Sequence, residues 1–243
     1  MQIRLLPFMI ADGATNMAAD ETLVRSAADG IASLRFYGWS SATVSLGYFQ
    51  SHTIRRADPN LAPLPWVRRP SGGATLVHHH ELTYALALPR EIADQTNESW
   101  MLRMHRIIVA ALTDLGLADR IVLVEEKPIK HGQHLCFQQF TPGDVQCAGR
   151  KVVGSAQRKY RQALMQHGSI LLAQSEHTPS VPGIRELSGQ TFDIAMVRQA
   201  VLRPLATATK WNIENGDWSE KEKIGIRTLA AERYSSVEWN ERR

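Results

Sequence analysis

Two side chains in this sequence are placed for covalent chemistry, the thiol of Cys136 and the amine of Lys151. A lone cysteine is ordinarily a small buried hydrophobe. Cys147, in a strand-like run between Gln146 and Ala148, is read that way. Cys136, in Leu135-Cys136-Phe137, is followed by a strand that carries a cation, in Gly149-Arg150-Lys151. Strand pairing would bring Lys151 back toward the segment that begins at Arg68. A nearby ammonium lowers a thiol pKa, and the thiolate is the attacking form. A lysine at a strand edge is otherwise a solvated charge, so the two groups gain meaning only if the fold joins them. Lys151 also opens Lys151-Val152-Val153-Gly154-Ser155-Ala156-Gln157, whose small residues let a backbone lie against a ligand.

A second stretch can build the opposite wall. The apolar run Leu64-Pro65-Trp66-Val67 feeds Arg68 and Arg69 into Pro70-Ser71-Gly72-Gly73. Adjacent glycines permit close approach because no Cβ intervenes, and arginine at such a turn can hold a carboxylate or phosphate in a fork of hydrogen bonds. On the glycines alone this is a structural hairpin. The turn leads into a short apolar strand, then His78-His79-His80, then a strand from Leu82 to Leu88. Along a strand His78 and His80 share a face and His79 points away. That leaves at most two ligands, with no cysteine or carboxylate at a recognisable spacing, and no metal is expected. His167-Gly168-Ser169 supplies another imidazole and another place of close approach. There is neither a phosphate-binding glycine loop ending in Lys-Ser/Thr nor a Gly-x-Ser-x-Gly nucleophile turn.

At 243 residues, 44% hydrophobic and 21% charged, the chain has the composition of an ordinary globular protein with a proper core. No stretch is apolar for long enough to cross a membrane. The N-terminal run through Met9 has no small-residue cleavage pattern and reads as a first strand. Two cysteines make no disulfide framework and fit a reducing cytoplasm. The net charge of +4 favours acidic partners. The basic residues are scattered, with aromatic interleaving only at Arg158-Lys159-Tyr160-Arg161, so nucleic acid is not expected.

The elements that must position these groups alternate between strand and helix. Asn16 is expected to cap a helix burying Met17, Val24 and Ala28, with Asp20 and Glu21 near its positive end and Gly30 beyond it. Strands follow at Ser33 to Tyr37 and Thr43 to Tyr48, with one helical turn near Ile54 to Pro59. From Asn97 to Leu115, Trp100, Met101, Met104, Ile107, Ile108, Ala111, Leu112 and Leu115 form one helical stripe, ended by Gly116. Then come a strand from Ile121 to Glu125, a loop from Lys127 to Gln133, and strands at Asp144 to Cys147, Lys151 to Val153 and Leu164 to Leu172. Ser175 to Gly189 reads as a linker, Asp193 to Leu202 as a helix limited by Pro204, and Ser219 to Glu222 as a capping box starting a last helix to about Tyr234. The expectation is α+β, a mostly antiparallel or mixed sheet flanked by helices. Residues 1–174 form its core, and residues 175–243 are a linker and C-terminal helical segment of the same domain.

With these pieces in order, the chain resembles the lipoate–protein ligase and octanoyltransferase family, within the biotin/lipoyl protein ligase superfamily. The likeness runs through Asn16-Met17-Ala18-Ala19-Asp20-Glu21, Arg35-Phe36-Tyr37-Gly38-Trp39, Thr43 to Gln50, Arg68 to Gly73 and Glu81-Leu82-Thr83-Tyr84. It continues through Cys136-Phe137, Gly149-Arg150-Lys151, Gly154-Ser155-Ala156-Gln157 and Gln166 to Leu171. The resemblance implies the class II synthetase-like catalytic fold. Its nearest pattern is the cysteine-dependent octanoyltransferase, which places its nucleophile directly before Phe and upstream of Gly-Arg-Lys, as Cys136 stands here.

That pattern implies octanoyl transfer from acyl carrier protein to the target lysine of a lipoyl domain or glycine-cleavage H protein, through a Cys136 acyl-enzyme. Lys151 would assist. Arg68, Ser71, Gly72, Gly73, His78, Gly154, Ser155, Ala156, His167 and Gly168 would bind substrate. No cofactor is needed, because a thioester is already activated. The related ATP-dependent lipoate ligase would need ATP and Mg. Ligases usually carry a third glycine where Ala74 stands and an Asp-x-Gly-Asn-like segment where this chain has His79-His80-Glu81-Leu82. A non-catalytic lipoyl- or acyl-binding homologue is a further reading, because family members usually have Asp where His79 stands.

Overall fold

Asp12, not Asn16, caps the first helix in the computed structural model, which describes residues 1–125 and 135–243. The Asp12 carboxylate accepts from the Thr15 amide at 2.7 Å. Asn16 lies one turn into the helix and is fully buried, donating to the carbonyls of Ala11 and Gly38 and accepting from Arg35 at 2.7 Å. Asp20 and Glu21 are therefore mid-helix residues with buried partners, not companions of the helix dipole. The loop expected from Lys127 to Gln133 lies outside the described residues.

In chain order the elements are β1 (Gln2–Leu5), β2 (Met9–Ala11), α1 (Gly13–Ala28), β3 (Ser33–Trp39), β4 (Thr43–Leu46), β5 (Trp66–Arg68), β6 (Leu76–His78), β7 (Glu81–Pro89), α2 (Arg90–Ala93), α3 (Trp100–Leu112) and β8 (Ile121–Leu123). They continue with β9 (Val145–Cys147), β10 (Arg150–Lys159), β11 (Ala163–Leu171), α4 (Ile184–Ser188), α5 (Ile194–Thr209), β12 (Asn212–Asn215), α6 (Glu220–Leu229) and α7 (Val237–Asn240). The turn expected near Ile54 is a 3-10 helix, His52–Ala57, and Cys136–Gln138 is another.

The main sheet runs β12-β1-β3-β7-β11-β10-β9-β8, with β2 also on β3. It is mixed: β1 pairs in parallel with β12 and β3, while β7, β11, β10, β9 and β8 are antiparallel. A small second sheet, β5-β4-β6, carries the Arg68–Gly73 turn beside it. Strands β3, β7 and β11 are buried along their whole length because both faces are covered. On β7, Leu82, Tyr84, Leu86 and Leu88 point into the core that includes α3 and α5, while Ala85 and Ala87 face the side of α1. Large residues on one face and alanines on the other let α1 settle close to the sheet.

The expected stripe of α3 is the core-facing one, with Ser99 as its cap and a buried histidine, His105, set within it. Helix α5 runs straight through Pro204, which was expected to limit it. Val197, Val201 and Leu205 recur every fourth residue and are fully buried, and that packing outweighs the hydrogen bond the proline removes. The Ser175 to Gly189 stretch contains α4, whose Ile184 is fully buried in the main core. Among the described residues no helix is long and apolar enough to cross a membrane.

Helix α6 has the expected capping box between Ser219 and Glu222. Glu222 also accepts from Arg4 at 2.6 Å and from Ser26 at 2.6 Å, tying the C-terminal segment to β1 and α1. Burial alone would raise its pKa, but the hydrogen bonds from Arg4, Ser26 and the Ser219 amide outweigh that and bring it down to about 2. A depressed folded-state pKa gives stability that is present above the unfolded value and lost as pH falls toward 2. Glu222→Gln is expected to lose about 1.5–3 kcal/mol at neutral pH. Chemical denaturation should show the gap to the wild type closing below about pH 4.

Candidate active site

Cys136 sits at the start of its 3-10 turn, half-buried, with its amide donating to the Thr75 carbonyl at 2.9 Å. This ties the turn to the end of the Gly-Gly segment. Across from it, Lys151 near the start of β10 is buried. Its Nζ lies 3.8 Å from Cys136 Sγ, 3.3 Å from the Gln139 carbonyl and 2.7 Å from Asp144 Oδ2. Asp144 is itself held by the Thr141 amide and hydroxyl at 2.7 and 2.9 Å. Carboxylate, ammonium and thiol thus stand in line, each within reach of the next.

The sulfur faces a cavity enclosing about 450 Å³ of empty space, its mouth included. That is within the range of small-molecule sites, about 300–1,000 Å³. Cys136, Gly72, Gly73, His78, Gly154, Ser155, Ala156, His167 and Gly168 all line it. Lys151 stands behind Cys136, and Ser71 behind His167. Arg68 is not brought to the cavity. Its guanidinium donates to the carbonyls of Gly47, Tyr48, Gln50 and Asn240, so it fixes backbone and does not face a ligand.

Its neighbour Arg69, absent from the expected set, does line the cavity. It clamps the glycine turn by donating to Gly72 at 3.0 Å, Ala74 at 2.7 Å and Ser45 at 3.0 Å. Burial lowers its pKa to about 10, so it remains a cation at neutral pH. The turn needs its glycines. Gly73 has a φ of +100°, and a Cβ on Gly47 would lie 2.0 Å from the Gly73 carbonyl oxygen.

Two histidines flank the cavity in matching arrangements. His167 presents Nδ1 to Asp20 at 2.9 Å and Nε2 to Ser71 Oγ at 2.5 Å. His78 presents Nδ1 to Glu81 at 2.7 Å and Nε2 to Ser45 Oγ at 2.8 Å, and its ring stacks on Trp39 at 3.8 Å. Burial would raise the Glu81 pKa, but His78 and hydrogen bonds from Thr83 and Ser169 outweigh it and hold the carboxyl below its usual range. Both rings are thereby fixed in orientation by a buried carboxylate.

A third network sets the floor. Gly168 on β11 is in register with Tyr84 on β7 and Ser155 on β10. The Tyr84 and Ser155 hydroxyls meet at 2.6 Å, and a Cβ on Gly168 would lie 2.3 Å from Ser155 Oγ. His105 reaches the Gly143 carbonyl through Nδ1 at 2.5 Å and Ser155 Oγ through Nε2 at 2.6 Å. A carbonyl only accepts, so Nδ1 carries the hydrogen, and burial keeps the ring neutral by lowering its pKa. Nε2 must then accept from Ser155, which accepts from Tyr84, which accepts from Gln166 at 2.8 Å. Burial pushes the Tyr84 phenol up to about 12, so it stays a hydroxyl.

Sequence reasoning named the Arg68-Arg69 pair as a possible anion fork but gave the site role to Arg68, and it missed Asp20, Glu81, His105 and Asp144. One signal was available for Asp20 and His105: a polar side chain on an otherwise apolar helix face needs a buried partner.

Gly154 is required by the lysine. A Cβ there would lie 2.7 Å from Lys151 Cε and 3.1 Å from Nζ, while Gly154 itself has no left-handed φ. Gly154→Ala is expected to fold normally but to displace the ammonium. Catalytic rate should fall by about a hundredfold, and the melting temperature should fall by less than in Lys151→Met, which loses the Asp144 pair outright.

Residues 12–180 match the lipoyl protein ligase A/B catalytic domain. The chain is 30% identical to octanoyltransferase LipM of Carboxydothermus hydrogenoformans, over 93% of this chain and 94% of that protein. In fold it is similar to a T. acidophilum protein solved with bound lipoic acid, with a TM-score of 0.81, 23% identity, and coverage of 99% of this chain and 100% of the other. It is also similar to a chain from a structural analysis of an archaeal lipoylation system, a bi-partite lipoate protein ligase and its E2 lipoyl domain from Thermoplasma acidophilum, with a TM-score of 0.74, 21% identity, and coverage of 99% and 96%.

Proposed function

The chain belongs to the lipoyl protein ligase A/B catalytic domain family, and we propose that it transfers an octanoyl group from acyl carrier protein to the lysine of a lipoyl domain or glycine-cleavage H protein. The observation that carries this reading is the placement of Cys136 Sγ on the cavity wall, 3.8 Å from a buried ammonium. A relative named as an octanoyltransferase supports the same chemistry.

In the first half-reaction the Cys136 thiolate attacks the carbonyl of the carrier thioester. A new carbon–sulfur bond forms, the bond to the carrier sulfur breaks, and the carrier leaves as its thiolate, which takes a proton from solvent. In the second, the acceptor lysine's neutral amine attacks the acyl-Cys136 carbonyl. An amide forms, the amine's proton passes to solvent, and Cys136 departs as thiolate. Lys151, held by Asp144, is complementary to both the thiolate and the developing oxyanion. Met17, Leu76 and Ala156 offer apolar surface to the acyl chain. A thioester is already activated, so neither step calls for a nucleotide or a metal.

The rim suits an acidic protein. Exposed Phe49 adjoins Gly72, and Arg158, Arg242 and Arg243 gather over Tyr48 at 5.2, 4.6 and 5.8 Å. Such a cationic, aromatic lip fits an acidic carrier or acceptor domain.

The test offers two donors to one acidic lipoyl domain: octanoyl carrier protein alone, and free octanoate or lipoate with and without Mg-ATP. Modification from the carrier without ATP is expected. Modification only with free acid and ATP would make the protein a lipoate ligase. Binding without transfer from either donor would make it a non-catalytic homologue.

A further inference from the structure

The expectation that His79 would point away from its neighbours fails, because β6 ends at His78 and the chain bends. The rings of His79 and His80 instead stack at 3.7 Å and 25° on the same side of the bend. They face Glu176, a residue distant in sequence. Its Oε2 lies 3.4 Å from His79 Nδ1 and 4.0 Å from His80 Nε2, and its Oε1 lies 3.6 Å from His177 Nε2. The ligand atoms of His79, His80 and Glu176 all fall within 4.8 Å of one another.

We propose that His79, His80 and Glu176 form a site for a divalent transition-metal ion such as Zn²⁺. The site is separate from the Cys136 cavity, and it stands or falls independently of the acyl-transfer reading. Two imidazoles and a carboxylate suit zinc, cobalt or nickel, whereas Mg²⁺ and Ca²⁺ demand oxygen ligands. A tetrahedral ion about 2.1 Å from each atom would draw them to about 3.4 Å from one another. The His79–Glu176 pair is already at that separation, and rotation of the exposed His80 and Glu176 side chains closes the rest.

The backbone presents these groups without any ion. The amides of Leu172 and Ala173 donate to the His80 carbonyl at 2.9 and 3.1 Å, joining the bend to the segment that carries Glu176. The His177 amide donates to Ser175 Oγ at 3.2 Å and the Thr178 amide to the Ser175 carbonyl at 3.1 Å, shaping the turn. Ser175 Oγ is also 3.0 Å from His79 Nδ1; an ion would take over that nitrogen while the hydroxyl keeps its bond to His177.

The cluster also borders a second cavity, of about 380 Å³, whose lining includes Leu76, Leu135 and Phe137. Bound metal would therefore clamp the two segments that buttress the Cys136 turn.

The experiment titrates the intact protein with Zn²⁺ against a chromophoric chelator and records the absorption of the Co²⁺ form. One ion per chain is expected, with a nitrogen and oxygen spectrum lacking a thiolate-to-cobalt band. Glu176→Gln and His80→Ala should each weaken binding by about tenfold or more. Both side chains are exposed, so neither change should unfold the chain, and circular dichroism melting checks this. Zn²⁺ should raise the melting temperature of the wild type but not of Glu176→Gln. The site is excluded if the wild type binds no tighter than either variant, or if a thiolate band places the ion at Cys136.

Discussion

Cys136→Ala is expected to lose the acyl adduct and to slow octanoyl transfer by about four orders of magnitude or more, as loss of a covalent nucleophile does elsewhere. The sulfur is held by backbone, through the Cys136 amide on Thr75, so the substitution leaves the turn in place. Half-buried Cys136 contributes little packing compared with its neighbour Phe137, which is buried. Melting temperature should therefore hardly move. Intact mass after incubation with octanoyl carrier protein should show one octanoyl group on the wild type, removed by hydroxylamine, and none on the variant. The buried Cys147, whose thiol burial pushes to a higher pKa, should remain unmodified in both. A variant that transfers octanoate at full rate would end the covalent mechanism.

Lys151→Met is expected to lower the rate by about 10²–10³-fold, the loss seen when one preorganised oxyanion donor is removed. It also leaves Asp144 buried without its cation. Breaking a buried pair in this way costs about 3–5 kcal/mol. Asp144 keeps the Thr141 amide and hydroxyl, which places the expected loss at the lower end. Asp144→Asn keeps an acceptor near Nζ and should affect rate less than stability. The double variant Lys151→Met/Asp144→Asn separates the roles. Chemical denaturation should show stability recovering relative to Lys151→Met, because no unpaired charge remains, while the rate stays low. Recovery of both together would mean that Lys151 serves only the fold.

Much of the framework was legible locally. Strand β7, the stripe of α3 and the capping box of α6 follow from periodicity and capping chemistry that involve neighbouring residues alone. Local signals failed where packing outweighed them. Asp12 displaced Asn16 as the cap because Asn16 is needed by Arg35 on the adjoining strand β3, and α5 overran Pro204 because three buried aliphatic residues hold it. The histidine run misled because strand alternation applies only while the strand continues, and β6 stops at its first histidine.

The candidate reactive groups and the places of close approach were legible as residue types alone. A thiol before Phe137, a lysine 15 residues later and glycines at Gly72, Gly73, Gly154 and Gly168 are chemical identities, readable without coordinates. Which carboxylate stands behind which base depends on how the elements pack. Asp20 and His167 are 147 residues apart and meet because α1 packs against β11. Asp144 meets Lys151 across the β9–β10 edge, and Arg69 rather than Arg68 reaches the cavity because one residue along the chain turns the side chain to the other side. A buried charge must find a partner, but nothing in the order of residues says how far away that partner is.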